Sequence, residues 1–300
     1  MTGTAEIIRR ARAAGIVVPA FNIPYLPMAK AVIQAVAEED SFALIQVARL
    51  EWEKFSSRSL EAVAEEFHRH ADPEHVRLHL DHVPVIDEDH AAVDYLPILR
   101  RAVAAGYQSV MVDGSRLLLE ENIRATRSAS ELAHQAGIPC EAELGAVLGH
   151  EEGPLPPYEE LFASGQGFTD PAEAARFVRE SGCDWLSVAI GNIHGAVSRA
   201  ARDQKKVEAR LALEHLGKLA AATNIPLVLH GGSGIRPEDL RQAFGRGIAK
   251  INVGTEIRQS YETALRETGS EPKAREAVRL RTRSLLSETY RISGSRAKLP

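Results

Sequence analysis

The stretch DPAEAARFVRESGCDWLSVAI, residues 170–190, holds one complete helix-to-strand unit. Asp170 offers a capping oxygen, Pro171 suits the first helical position, and Glu173 completes the pattern of a capping box. Ala174, Ala175, Phe177 and Val178 fall on one face and form the buried stripe, and Gly182 stops the helix. Directly after the stop comes a short apolar run, DWLSVAI (184–190), with the character of a buried strand.

The same rhythm runs through the chain. Further apolar runs stand at VVPAFNI (17–23), FALIQVA (42–48), VRLHLDH (76–82), YQSVMVD (107–113), IPCEAEL (138–144), PLVLHG (226–231) and GIAKINV (247–253). With 184–190 they make eight. Ala14-Gly15, Ala105-Gly106 and Ala136-Gly137 mark further helix stops just before strands. Eight strands, each followed by a helix, in 300 residues predict an α/β fold, a single-domain (β/α)8 TIM barrel over residues 1–300. A doubly wound open sheet would use fewer strands and place G-x-G-x-x-G after the first. Pro24-Tyr25-Leu26-Pro27 stands there and cannot cradle a pyrophosphate that way. The longest connection, about 146–168, reads as a mobile active-site loop, and about 271–300 as a C-terminal helical extension.

Composition narrows the function. Hydrophobic residues at 44% and charged residues at 26% are globular values. Lys and Arg number 36 against 41 Asp and Glu, a net charge of −5, which speaks against nucleic acid or an anionic membrane as partner. No apolar run is long enough to span a bilayer, and MTGTAEIIRRARAAG lacks the features of a signal peptide. Cys140 and Cys183 are the only cysteines and form no C-x-x-C, which suits a reducing cytoplasm.

A barrel of this kind carries its functional side chains at the C-terminal ends of its strands. Those ends here are polar: Asn22, Asp81-His82, Asp113-Gly114-Ser115, Glu141-Ala142-Glu143, Gly191-Asn192-Ile193-His194-Gly195, His230-Gly-Gly-Ser-Gly234, and Asn252 before Gly254-Thr255. Buried polar groups are costly unless paired or bound to metal. Three histidines from three strands, His82, His194 and His230, beside Asp81 and Glu143, suit a divalent metal such as zinc with a position open to substrate. The plainer alternative is that each is a hydrogen-bonded core histidine. His79, on the same strand face as Asp81, reads as a packing residue, with support of a ligand as the alternative. His230-Gly-Gly-Ser-Gly and Asn252 to Thr255 follow the seventh and eighth strands, the usual phosphate site of such barrels; a plain turn is the alternative. Glu151 in the long loop is either a mobile acid/base or one of several solvated acids.

Pro19-Ala-Phe-Asn22, His79-Leu-Asp-His82, Ser109-Val-Met-Val-Asp-Gly-Ser115, Glu141-Ala-Glu-Leu-Gly145, Ala189-Ile-Gly-Asn-Ile-His-Gly195, His230-Gly-Gly-Ser-Gly234, Lys250-Ile-Asn-Val-Gly-Thr255 and Ser293-Gly-Ser-Arg-Ala-Lys298 stand in this order. Together they resemble the class II, metal-dependent ketose-bisphosphate aldolases of the fructose- and tagatose-bisphosphate type, nearly end to end. The resemblance implies a cytoplasmic enzyme of carbohydrate metabolism, of the kind that serves glycolysis. It would reversibly cleave a phosphorylated ketose, such as a ketose 1,6-bisphosphate, to dihydroxyacetone phosphate and an aldehyde. It implies one Zn2+ per subunit on His82, His194 and His230, with Glu143 as an additional or alternating ligand, and leaves room for a monovalent cation, Na+ or K+. Asp81 and Glu151 would move protons, Asn252 would touch the substrate, and Asn22 would line its site. Gly195, Gly231, Ser233 and Thr255 would hold phosphate. A homodimer or homotetramer is implied.

Four positions depart from the family pattern: Ala48 where relatives usually carry a substrate-holding serine, Val83 for glycine, His150 for an acid, and Gly254 for alanine or aspartate. A distal phosphate would need a cation such as Lys273 or Arg275 of a neighbouring subunit. A related metal lyase with another substrate, or a non-catalytic phosphosugar-binding homologue, are the alternative readings.

Overall fold

In the computed structural model, residues 2–145, 158–192, 209–232 and 234–299 are described. Helix α1 (Thr4–Ala14) leads into β1 (Val18–Asn22), followed by α2 (Met28–Glu38). Then come β2 (Ala43–Val47), α3 (Arg49–Lys54) and α4 (Leu60–His70); β3 (Val76–Pro84) and α5 (Tyr95–Ala104); β4 (Val110–Asp113) and α6 (Leu119–Gln135). The second half runs through β5 (Cys140–Leu144), α7 (Tyr158–Ser164), α8 (Pro171–Ser181), β6 (Trp185–Val188), α9 (Leu213–Thr223), β7 (Leu227–Leu229) and α10 (Pro237–Phe244). It ends with β8 (Ile248–Val253), α11 (Thr255–Thr268) and α12 (Glu271–Ser284). All eight strands are parallel to their neighbours, and β1 pairs with β8 to close the barrel. The fold is the (β/α)8 barrel that the eight apolar runs predict.

The Asp170 cap and the Gly182 stop act as expected, Ala174 and Phe177 are buried with Ala175 and Val178 half-buried, and Glu173 does not reach back to complete the capping box. Asp170 Oδ1 accepts from the backbone N–H of Ala172 and Glu173, at 2.8 and 2.9 Å, and Gly182 ends α8 at φ 72°. Within the segment read as loop, residues 158–164 form α7, whose Tyr158 hydroxyl lies 3.1 Å from the carbonyl oxygens of Gly191 and Arg210. Helix α12 packs on α11 and α2.

The interior has two levels. At the N-terminal end of the strands, Val18, Ala20, Phe42, Leu44, Trp185 and Val228 pack with Ile7, Ile8 and Ala11 of α1, which closes the floor. Above that floor the inward positions become polar: Gln46, His79, Glu141, Ser187 and Lys250 are all fully buried. The outward faces of the strands meet the helices in a second, larger apolar core. The apolar floor makes the barrel stable, and the polar level can be spent on chemistry.

Gly114 illustrates how tightly the upper level is built. A Cβ there would fall 2.2 Å from Asn122 Oδ1. Asn122 Nδ2 donates to the carbonyl of Glu143 at 3.0 Å. Gly114→Ala should therefore displace Asn122, cost roughly 1–3 kcal/mol, and show as a lower urea midpoint; an unchanged midpoint would refute this packing argument.

Candidate active site

The third strand brings two adjacent residues, Asp81 and His82, to one site. A regular pleat would send them to opposite faces. The β3–β4 register shifts between Leu80 and Val83, and His82 takes φ 108°, a conformation rare for a non-glycine residue. This bulge re-aims the chain just where both side chains are needed. Glu141 and Glu143 alternate inward on β5, and His230 follows β7.

One donor atom from each of His82, Glu143 and His230 lies within 4.8 Å of the others. His230 Nδ1 is 2.9 Å from Glu143 Oε2, while its Nε2 is 3.0 Å from Glu141 Oε1. His82 Nε2 is 3.0 Å from Asp113 Oδ2, and Asp113 Oδ1 accepts from the Ser115 N–H at 2.8 Å. Each imidazole therefore has a carboxylate holding its ring, the usual support of a metal-binding histidine. Burial works against charge on His82, but Asp113, then Glu143 and Asp81, push it up to about 10. His230 is likewise pushed up to about 9 by Glu143 and Glu141 against burial. The pocket thus favours positive charge where the donors converge, and this donor set fits a divalent cation.

Asp81 is gripped from both sides. Its Oδ2 accepts from Asn22 Nδ2 at 2.8 Å and its Oδ1 from Asn252 Nδ2 at 2.9 Å. Burial opposes its charge, but Lys250, His82, His230 and His79 outweigh that and hold it below the usual aspartate range. Asn252 Oδ1 in turn accepts from Lys250 Nζ at 2.6 Å, which also meets Glu141 Oε2 at 2.8 Å. That pairing leaves Lys250 no role as a free amine, so a lysine Schiff base finds no support here. His79 bonds Ser109 Oγ through Nδ1 at 2.8 Å, stands 3.6 Å from Glu141 Oε2 through Nε2, and packs near Trp185.

Gly231 and Thr255 stand at the ends of β7 and β8, Gly231 at φ 66° and Thr255 as the first residue of α11. A helix N-terminus and an open backbone suit a phosphate. Glu151, His194, Gly195 and Ser233 lie outside the described residues.

Comparison with known proteins places this geometry. Residues 2–297 match the family described as fructose-bisphosphate aldolase class-II. The chain belongs to the class II fructose-bisphosphate aldolase family. The Escherichia coli K12 protein YdjI is 40% identical over 219 residues, 72% of this chain and 73% of its own. The probable fructose-bisphosphate aldolase of Bacillus subtilis 168 is 33% identical over 273 residues, 89% of this chain and 86% of its own. The crystal structure of the YdjI aldolase superposes with a TM-score of 0.76 at 30% identity, covering 99% of this chain and 98% of that one.

Within this class II family member, four residues support the site without a role assigned from sequence: Glu141 and Asn192 stand among the polar strand ends, and Asn122 and Glu51 do not. Glu141 ties His230 to Lys250. Asn192 accepts from the Ile190 N–H and donates to the His230 carbonyl at 3.0 Å, joining the ends of β6 and β7. Asn122 fixes the backbone of Glu143. Glu51 on α3 is buried beside Asn22. The signal for Asn192 was its place in Gly-Asn-Ile-His-Gly; Asn122 carried none. Among the described residues, no helix is long and apolar enough to cross a membrane.

Proposed function

We propose that this protein is a zinc-dependent aldolase that reversibly cleaves a phosphorylated ketose to dihydroxyacetone phosphate and an aldehyde. The observation that carries this reading is the meeting of His82, Glu143 and His230 within 4.8 Å, next to an Asp81 held by two carboxamides. His82, Glu143 and His230, with His194 as the fourth residue implied by sequence, would hold the metal. When bound, the ion supplies Lewis-acid stabilisation of the negative charge that develops at the ketose carbonyl.

Asp81 is an ionised acceptor with a fixed orientation. In cleavage it takes the proton of the C4 hydroxyl as the C3–C4 bond breaks, and in the reverse direction it returns that proton to the aldehyde oxygen. Asn22 and Asn252 keep both its oxygens in place, which reduces the reorganisation needed at that moment. Glu151 is proposed to deliver the proton to C3 of the triose half, its role in the family pattern. Gly231, Thr255, Gly195 and Ser233 are proposed to bind the phosphate, with the N-terminus of α11 adding its dipole. A homo-oligomer working in the cytoplasm accords with the family resemblance.

Ala48 favours a second reading of the substrate. It offers no hydroxyl at the start of α3, which points to an aldehyde half other than that of the common bisphosphate. A panel of ketose phosphates assayed for triose release separates the two. Treatment with a strong chelator is expected to remove cleavage, and added zinc to restore it. Cleavage untouched by chelation would contradict the metal mechanism, and tight sugar-phosphate binding without turnover would favour a binding protein.

A further inference from the structure

Glu51 is the third residue of α3, a short helix that begins as soon as β2 ends. Ala48 precedes that helix and has no side-chain oxygen to cap it. Glu51 reaches back instead: its Oε2 accepts from the Ala48 N–H at 2.8 Å. The same oxygen lies 3.3 Å from Asn22 Nδ2. That nitrogen also donates to Asp81 Oδ2 at 2.8 Å, and Asn22 Oδ1 accepts from Gln46 Nε2 at 2.8 Å. The two amide hydrogens of Asn22 are thus divided between two carboxyl groups, and its oxygen is held by a third side chain. Turning the amide over would set its oxygen against both carboxyl groups and its NH2 against the NH2 of Gln46.

We propose that Glu51 is a positioning residue of the aldol reaction, fixing the plane of the Asn22 carboxamide so that it presents one N–H to Asp81. This inference rests on the aldolase reading above and assigns Glu51 no contact with the reacting atoms. Glu51 is 9% exposed, so an ionised form is costly. Burial first, and Asp81 beside it, push its carboxyl up to about 8 against the Ala48 N–H, Asn22 and Arg258. The titratable and charged groups facing it are Asp81 from β3, Arg258 from α11 and the Tyr107 phenol ahead of β4. At neutral pH the neutral acid can hold Asn22 without setting a second negative charge next to Asp81. Its ionisation makes it a stronger acceptor for the shared carboxamide and draws the N–H away from Asp81.

Two variants in the full-length zinc enzyme test this. Glu51→Ala should lower kcat by about 10- to 100-fold with KM changed by less than about threefold. Glu51→Gln keeps the accepting oxygen and should restore kcat to within about threefold at pH 7. Wild-type kcat should decline on the alkaline side around pH 8, and Glu51→Gln should lack that decline. A purely structural cap on α3 would lower the urea midpoint without altering the pH profile. Wild-type kcat in Glu51→Ala, or an alkaline decline unchanged in Glu51→Gln, overturns the inference. Should Glu51→Ala not fold, the Glu51→Gln profile decides alone. These results leave the aldolase reading standing, whereas wild-type protein that cleaves no ketose phosphate overturns both.

Discussion

Asp81→Ala is expected to lower turnover by ~10²- to 10⁴-fold while the protein keeps its metal. The size follows from the proposed role of the carboxylate, which would accept the hydroxyl proton as the carbon–carbon bond breaks. The fold should survive, because Asp81 belongs to the polar level above the apolar floor. The loss leaves Asn22 and Asn252 each short of one acceptor, at about 1–3 kcal/mol per donor. Metal content by elemental analysis and turnover by triose release check the two halves together. Full metal with unchanged turnover would remove Asp81 from the mechanism. Loss of metal would make it a ligand rather than an acid/base.

Lys250→Met should be strongly destabilising. Lys250 and Glu141 are both fully buried, and the ammonium meets Glu141 Oε2 at 2.8 Å and Oε1 at 3.2 Å. Removing the cation leaves a fully buried carboxylate with His230 on Oε1 and no cation on Oε2, at a cost of about 3–5 kcal/mol. The pH dependence has a definite sign. Burial opposes charge on Glu141, but Lys250, then His230 and His79, hold its carboxyl far below the usual range. A lowered folded-state value contributes stability above the unfolded value of about 4.3, and that share is lost as pH falls through the folded value. Without Lys250 the largest part of this share is gone, His230 holds only one of the two oxygens, and acid neutralises the buried carboxylate. The deficit of Lys250→Met against wild type should therefore be largest near neutrality and shrink towards pH 4. Denaturant unfolding at several pH values reads this directly; a deficit that stays constant across the range would contradict it.

The barrel was legible because its constraints repeat. Eight β-branched runs and the Gly-terminated helices between them report local periodicity, which survives without knowledge of contacts. The meeting of His82, Glu143 and His230 was legible for the same reason, since a parallel barrel leaves one rim for chemistry. Asp81 and His82 tested that logic: alternation alone would have separated them, and only the bulge at φ 108° on His82 brings both into use. Glu141 shows the limit. It shares a face with Glu143, but the sequence does not say which acid joins His82 and His230 as a candidate ligand and which ties His230 to Lys250. Glu51 is harder still. In Arg-Leu-Glu-Trp-Glu-Lys (49–54) it reads as one charge on a solvated helix, whereas the fold buries it beside Asn22 of β1, with α3 packed on β3. The one local hint was an alanine at the capping position, with a glutamate three residues on.

The central claim is that His82, Glu143 and His230 share one metal ion. Anomalous diffraction at the zinc edge, from crystals grown with zinc, tests it most directly. The account predicts one strong peak per chain, bonded to nitrogen from His82 and His230 and to oxygen from Glu143. No peak at that point, or zinc held elsewhere with these side chains hydrogen-bonded to one another, would contradict it.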